Sequence, residues 1–205
     1  VRRSRPLEER YIGNTNLMGE RRKKQLLKHY HGNIKPTDLS RPLFELTKGQ
    51  DPVTRMEYCD LNLWMVGDIL LKADKMSMAN SLELRVPFLD RKVFELACRI
   101  PTEDKVNAGQ TKIAMRGAAE KTIPARTADK KKLGFPVPVR AWLRDEKYAS
   151  RVREAFNAPA AAEFFNVKEL NRMLDQHMSG KRDNWRQIWC VFIFLVWYDE
   201  YFVKR

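Results

Sequence analysis

The stretch Asp74-Lys-Met-Ser-Met-Ala-Asn-Ser-Leu-Glu-Leu-Arg-Val-Pro-Phe-Leu-Asp90 sets charges among residues that ask to be buried. Met76, Met78, Leu82, Leu84, Val86, Phe88 and Leu89 are apolar, and Asp74, Lys75, Glu83, Arg85 and Asp90 are threaded between them. A buried charge costs free energy unless it is paired or put to use. The segment reads as an ion-pair scaffold, as the wall of a reactive site, or as both.

Helical signals surround it. Upstream, Asp51-Pro52 supplies a cap followed by proline at the first helical position, opening a helix through Met56, Leu61, Leu63 and Trp64. Gly67-Asp68 interrupts the pattern, and a second helix is predicted from Asp68 to about Ser81. Asp90 is the natural cap of a short helix between Pro87 and Pro101, with Val93, Phe94, Leu96 and Ala97 on its buried side. Further out, Asn14 or Thr15 caps a helix through about His29, while Pro36 and Pro42 allow only a short helical turn between Lys35 and Gly49. Thr111 to Thr122 is alanine-rich and helical, and Gly134, Pro136 and Pro138 make Lys130 to Pro138 irregular. Helices follow over Val139 to Arg144, Glu146 to Phe156, Val167 to Met178, and from about Asn184 onward. The prediction is a mainly α chain forming one unit over 1–205.

The last helix carries Ile188-Trp-Cys-Val-Phe-Ile-Phe-Leu-Val-Trp-Tyr198, apolar on every face. A bilayer span needs about 20 such residues, and Arg186 and Asp199 bound this run, so a buried core helix is expected and no membrane partner. Stripped of neighbours, it would drive self-association. Net charge is +13 with a pI near 9.8, which favours polyanions in general. No helix-turn-helix, zinc spacing or aromatic RNA-binding motif supports a nucleic-acid partner, and none is expected. Cys59, Cys98 and Cys190 are widely spaced and read as small buried residues of a reducing, cytoplasmic compartment. His29, His31 and His177 have no Cys or carboxylate at ligand spacing, so they are expected at the surface or behind a site, with no metal held by this chain.

Asp74 to Asp90 resembles the signature of the synthetase domain of glutamine-hydrolysing asparagine synthetases. Gly109-Gln-Thr-Lys112, Lys131-Lys-Leu-Gly-Phe-Pro-Val-Pro138 and Trp142-Leu-Arg144 follow in that family's order, and the match runs from about Tyr11 to the end. Ordered blocks are far more specific than one short motif. The resemblance implies the helical C-terminal portion of an α/β ATP-pyrophosphatase-type (adenine nucleotide α-hydrolase-like) synthetase domain. The family's N-terminal glutaminase domain and its Ser-Gly-Gly-x-Asp-Ser pyrophosphate loop have no counterpart here. Alone, the chain is expected to be inactive.

The implied reaction adenylates the side-chain carboxylate of aspartate with ATP, releasing pyrophosphate, and glutamine-derived ammonia then displaces AMP to give asparagine. Mg²⁺ and ATP would be held mainly by the preceding part of the longer enzyme, and a homo-oligomer is compatible with the family. Lys112 aligns with the family's essential lysine, a compact cation able to follow charge on the transferring phosphorus; read without the family, it is an exposed lysine in a first helical turn. Asp68, Lys72 and Lys75 lie at i, i+4 and i+7 on one helical face, as a substrate-side charge set or as a solvated stripe. Glu83 and Arg85 share a face of an extended segment, as a salt bridge under Pro87 or as substrate contacts. Lys131, Lys132, Gly134 and Phe135 form a basic, glycine-hinged loop that could close over nucleotide or be a surface turn. The rival readings are a related synthetase that adenylates another carboxylate, of the β-lactam synthetase or peptide cyclase type, and a non-catalytic basic helical binding module.

Overall fold

In the computed structural model, which describes residues 6–11, 17–32, 34–130 and 137–204, the regular structure is helical. In chain order the helices are α1 (Leu7–Arg10), α2 (Glu20–Leu26), α3 (Pro36–Leu46), α4 (Pro52–Asp60), α5 (Leu71–Met78), α6 (Arg91–Arg99), α7 (Thr102–Lys105), α8 (Ile113–Ala119), α9 (Ala125–Ala128), α10 (Val139–Trp142), α11 (Glu146–Asn157), α12 (Pro159–Phe164), α13 (Val167–Met178) and α14 (Trp185–Tyr198). Among the described residues, extended pairing is confined to isolated bridges, Leu27 with Phe165 and Val106 with Thr111. The chain is mainly α, as its sequence predicts. Two compact units are distinguished within it, one from Val1–Asn14 and Pro36–Gly134, the other from Thr15–Lys35 and Phe135–Arg205.

The second unit holds the principal core. Ala149, Val152 and Phe156 line one face of α11, Leu170, Met173, Leu174 and His177 one face of α13, and Ile188, Val191 and Leu195 one face of α14. These spacings of three and four residues are what a helix needs to bury a single stripe. Each fully buried aliphatic or aromatic side chain contributes roughly 1.5–3 kcal/mol. The helices start where the sequence predicts: the Asp145 carboxylate accepts from the Lys147 amide at 2.9 Å, and the Asn166 side chain from the Glu169 amide at 3.3 Å.

Two expectations for this unit are corrected. Helix α2 stops at Leu26 rather than His29, because the chain there turns to pair with the residues before α13: Lys28 N–H donates to the Phe164 carbonyl at 2.9 Å and Asn166 N–H to that of Leu26 at 2.8 Å. Its proposed caps, Asn14 and Thr15, lie outside the described residues. The final helix buries one face only. Trp189, Ile193, Val196 and Trp197 are exposed, and the chain winds on through π-helical turns over Asp199–Val203. An aromatic row, Phe164 to Tyr198 at 4.8 Å and Tyr198 to Phe202 at 5.2 Å, ties α12 to that extension. Among the described residues no helix is long and apolar enough to cross a membrane.

The first unit is built differently. Helix α3 runs eleven residues where only a turn was expected: Pro36 occupies its first position, which needs no amide donor, and Pro42 falls on the exposed face. Ser40, Phe44 and Thr47 are buried on the other face, and the Thr47 hydroxyl donates to the Leu43 and Phe44 carbonyls at 3.0 and 3.2 Å in the last turn. Asp51 caps α4 as predicted, its carboxylate accepting from the Val53 and Thr54 amides at 2.9 and 3.2 Å and from the Thr54 hydroxyl at 2.5 Å. The expected break at Gly67-Asp68 does not occur. Ten residues, Leu61–Leu70, continue α4 as π-helical turns into α5. A glycine inside a helix costs only about 1 kcal/mol relative to alanine, and here the Trp64 indole N–H spans it to the Asp68 carboxylate at 2.9 Å.

Asp90 caps α6 as predicted, accepting from the Lys92 and Val93 amides at 2.9 and 3.4 Å. The face of α6 expected to be buried is not: Phe94 is 37% exposed and Leu96 63%. Met76, Met78, Leu82, Leu84, Val86 and Phe88 are likewise exposed. The signature stretch is thus an apolar, charge-studded surface of its own unit. Of the irregular 130–138 segment, residues 131–136 lie outside the described residues.

Candidate functional site

All six sequence-predicted site residues, Asp68, Lys72, Lys75, Glu83, Arg85 and Lys112, belong to the first unit. The π-helical turns end at Leu70, so Asp68 stands on the wide segment and Lys72 on the first turn of α5. Their side chains meet at 4.0 Å, and the Trp64 indole N–H fixes the other carboxylate oxygen. Lys75 is exposed one turn further along. Glu83 and Arg85 pair at 3.3 Å in the extended stretch after α5, both well exposed, as two residues on one face of a strand-like segment must be to meet. Exposed pairs of this kind contribute little to stability, about 0–1 kcal/mol. They set an ammonium, a guanidinium and two carboxylates on the stretch of chain that also exposes Met76, Met78, Leu82, Leu84 and Val86.

Lys112 sits in a turn built by its neighbours. The Asn107 side chain accepts from the Gly109 and Gln110 amides at 2.9 and 2.8 Å, Asn107 N–H donates to the Gln110 carbonyl at 2.9 Å, and Val106 bridges Thr111. The chain leaves this loop through Lys112 in the left-handed conformation, φ 61° and ψ 38°, and enters α8. Lys112 is exposed and has no ion pair among the described residues. No hydrogen bond or ion pair among them joins Lys112 to the Asp68–Lys72 or Glu83–Arg85 pair. Sequence reading missed Arg116. Its guanidinium donates to the carbonyls of Thr111 at 3.2 Å, Ala128 at 2.8 Å and Lys130 at 3.4 Å. An arginine one helical turn after Lys112 is the signal that would have found it.

The first unit also has a mostly apolar cavity of about 360 Å³ lined by Leu61, Met65, Phe94, Ala97, Cys98 and Ile100, with Glu57, Asp60 and Lys105 at its polar edge. None of the six candidate residues lines it. Lys105 and Glu57 pair there at 3.0 Å, and the Tyr11 hydroxyl donates to Asp60 at 2.6 Å. Burial first, then the Asp60 carboxylate, pushes the Tyr11 phenol above its usual range. Of the cysteines only Cys59 is buried, which pushes its thiol up; Cys98 and Cys190 are exposed, against expectation.

His29 and His31 are exposed, whereas His177 is fully buried. The correction follows from α13, whose apolar stripe includes position 177. One ring nitrogen, Nε2, lies 3.0 Å from the Arg140 carbonyl, and Nδ1 accepts from the Asn184 amide at 3.4 Å, with Asp183 at 3.6 Å. A carbonyl on one side and an amide on the other assign the proton to Nε2. Arg140 in turn binds Asp183 and holds its carboxyl below the usual range. Among the described residues no three carboxylate, histidine or cysteine groups converge to hold a metal ion.

The family model described as asparagine synthase matches residues 2–199. The chain is 45% identical over 200 residues to asparagine synthetase [glutamine-hydrolyzing] 1 of Bacillus subtilis, covering 98% of this chain and 32% of that protein. It is 41% identical over 197 residues to a putative asparagine synthetase [glutamine-hydrolyzing] of Mycobacterium bovis, covering 96% of this chain and 30% of the relative. A third relative, asparagine synthetase [glutamine-hydrolyzing] 3 of Bacillus subtilis, is 34% identical over 115 residues, 56% of this chain and 19% of that protein. The chain therefore spans about a third of the length of the first two. No solved structure matches it. A family model covering nearly the whole sequence, with relatives aligned across it, places the chain in the asparagine synthase family.

Proposed function

We propose that this chain supplies one wall of the synthetase site of a longer ATP-dependent amidotransferase that makes asparagine from aspartate, glutamine and ATP. In the first half-reaction the aspartate side-chain carboxylate attacks the α-phosphorus of ATP, forming aspartyl-adenylate and expelling pyrophosphate. In the second, glutamine-derived ammonia attacks the acyl carbon, loses a proton, and releases AMP. The observation that carries the reading is the exposed signature surface. Large apolar side chains interleaved with Asp68–Lys72 and Glu83–Arg85 pairs are left uncovered in a chain a third as long as its relatives. So many large apolar side chains exposed along one stretch call for a covering partner, and the remaining two thirds of the longer protein would provide it.

In this reading Lys112 brings its ammonium to the phosphates as charge shifts to the leaving pyrophosphate and the adenylate. Lys72, Lys75 and Arg85 add positive charge around the nucleotide, while Asp68 and Glu83 hold those cations in place or meet the aspartate amino group. Mg²⁺ neutralises phosphate charge and belongs with the ATP-binding part of the longer protein. Activity of the complete protein tests this. Glutamine-dependent release of AMP and asparagine in equal amounts is expected, and Lys112→Ala is expected to abolish both while sparing glutamine hydrolysis. AMP formation with other carboxylates but none with aspartate would reject the substrate, and full synthesis by the Lys112→Ala protein would reject the role given to that lysine.

A further inference from the structure

Both peptide planes that flank the Lys112 Cα are held by a single residue. The Thr111 carbonyl accepts from Arg116 Nε at 3.2 Å, and the Lys112 carbonyl accepts from the Arg116 backbone N–H at 2.9 Å. Rotation of those two planes is what φ and ψ of Lys112 describe: the second plane is held by the i to i−4 helical bond that any residue at 116 would make, and the first by the Arg116 side chain. The conformation it fixes needs fixing. A non-glycine residue in the left-handed region costs roughly 1–2 kcal/mol and persists only where its surroundings impose it. Beside Lys112, only Ser81 among the described non-glycine residues has positive φ.

The clamp is itself anchored. With its Nη atoms on the Ala128 and Lys130 carbonyls, the guanidinium ties the start of α8 to the end of α9. It spends its charge on three carbonyls and has no ion pair among the described residues. Five donors in a rigid fork can serve three acceptors at once; an ammonium cannot hold the same geometry.

We propose that Arg116 is a positioning residue for Lys112: by locking the left-handed backbone at position 112, it sets the direction in which that ammonium leaves the chain. The proposal rests on the reading of Lys112 as the lysine that meets the phosphates. A misplacement of about 1 Å in a reacting group can cost on the order of 10²-fold in rate, and release of a strained φ moves a side-chain origin by at least that much.

The test uses the complete protein carrying Arg116→Ala or Arg116→Lys, followed by AMP release and by amide hydrogen exchange. Arg116→Ala is expected to lower kcat for AMP release by about 10²-fold while KM for ATP and aspartate stays within about twofold. Glutamine hydrolysis stays at the parent rate, and exchange quickens over residues 111–116 but not over α5. Arg116→Lys falls between, and it carries the same test if the alanine variant does not fold. Unchanged exchange at 111–116 would overturn the clamp. Quickened exchange with unchanged kcat would overturn its role in the reaction, and so would losses shared by glutamine hydrolysis, which a general folding defect would cause. Full synthesis by Lys112→Ala would instead strike the reading of Lys112, and exchange at 111–116 would still decide whether Arg116 sets the turn.

Discussion

Replacing His177 by leucine roughly keeps the volume of a fully buried side chain on α13 but removes both of its ring nitrogens. The part-buried Arg140 carbonyl then loses a partner at 3.0 Å, and the buried Asn184 amide one at 3.4 Å. A buried polar group left unsatisfied costs roughly 1–3 kcal/mol, and the longer of the two bonds belongs at the low end of that range. The sum, about 2–4 kcal/mol, is a large fraction of the roughly 5–15 kcal/mol that stabilises a typical domain. Trp142, Trp185, Trp189 and Trp197 lie in this unit and Trp64 in the other, so tryptophan fluorescence in a urea titration follows mainly the second unit. With a urea slope of about 2 kcal/mol/M, the midpoint should fall by about 1–2 M for His177→Leu, and by less for His177→Gln, which keeps one donor and one acceptor. A leucine variant whose midpoint moves by less than about 0.3 M would refute the claim that these bonds, rather than the apolar packing around them, hold the α10, α13 and α14 ends together.

Asp51 gives a pH-dependent counterpart. The Thr54 hydroxyl chiefly, aided by the Thr54 and Val53 amides and the Thr102 hydroxyl, brings its carboxyl down to about 2 from an ordinary 3.8. Because the folded value is depressed, the cap is fully formed above the ordinary value and is lost as pH falls toward 2, so Asp51→Ala should cost about 1 kcal/mol near neutral pH and nothing below about pH 2. Thermal unfolding of both proteins across that range, read by circular dichroism, checks it; a difference that persists in strong acid would contradict the cap assignment. The exposed apolar surface yields another expectation: the isolated chain should self-associate at micromolar concentration, and Phe88→Lys with Trp197→Lys should weaken this in sedimentation velocity. Sedimentation of the unsubstituted chain as a monomer throughout would show that the surface is not adhesive.

The sequence announced elements whose signals are local and missed those decided at a distance. Asp51 and Asp90 were legible as caps because a carboxylate reaches amides two and three residues on, whatever else the protein does. α11 and α13 were legible because their apolar spacing matches a helix buried on one side. Pro42 misled because its backbone cost, about 3 kcal/mol, is finite, and burial of Ser40, Phe44 and Thr47 on the other face carries the helix through it. Gly67 misled because its small cost is outweighed by a helix already running on both sides. The end of α2 was invisible because Phe164 and Asn166, far along the chain, decide it. The six candidate residues were found by family wording, and their pairing at Asp68–Lys72 and Glu83–Arg85 follows from spacing alone. Arg116 was not found: its place one turn after Lys112 is visible in the sequence, but the return of its guanidinium onto three carbonyls is not.

The pairing of α2 with α13 also bears on how the protein is made. Arg22 meets Glu169, a partner 147 residues downstream, and between them the chain threads the whole described length of 36–130. At ribosomal speeds of about 5–20 residues per second, the basic helix would wait roughly 7–30 s for that partner to emerge. During that interval Leu26 lacks the α13 side of the core it joins in the folded unit, so docking of α2 is a late step of folding.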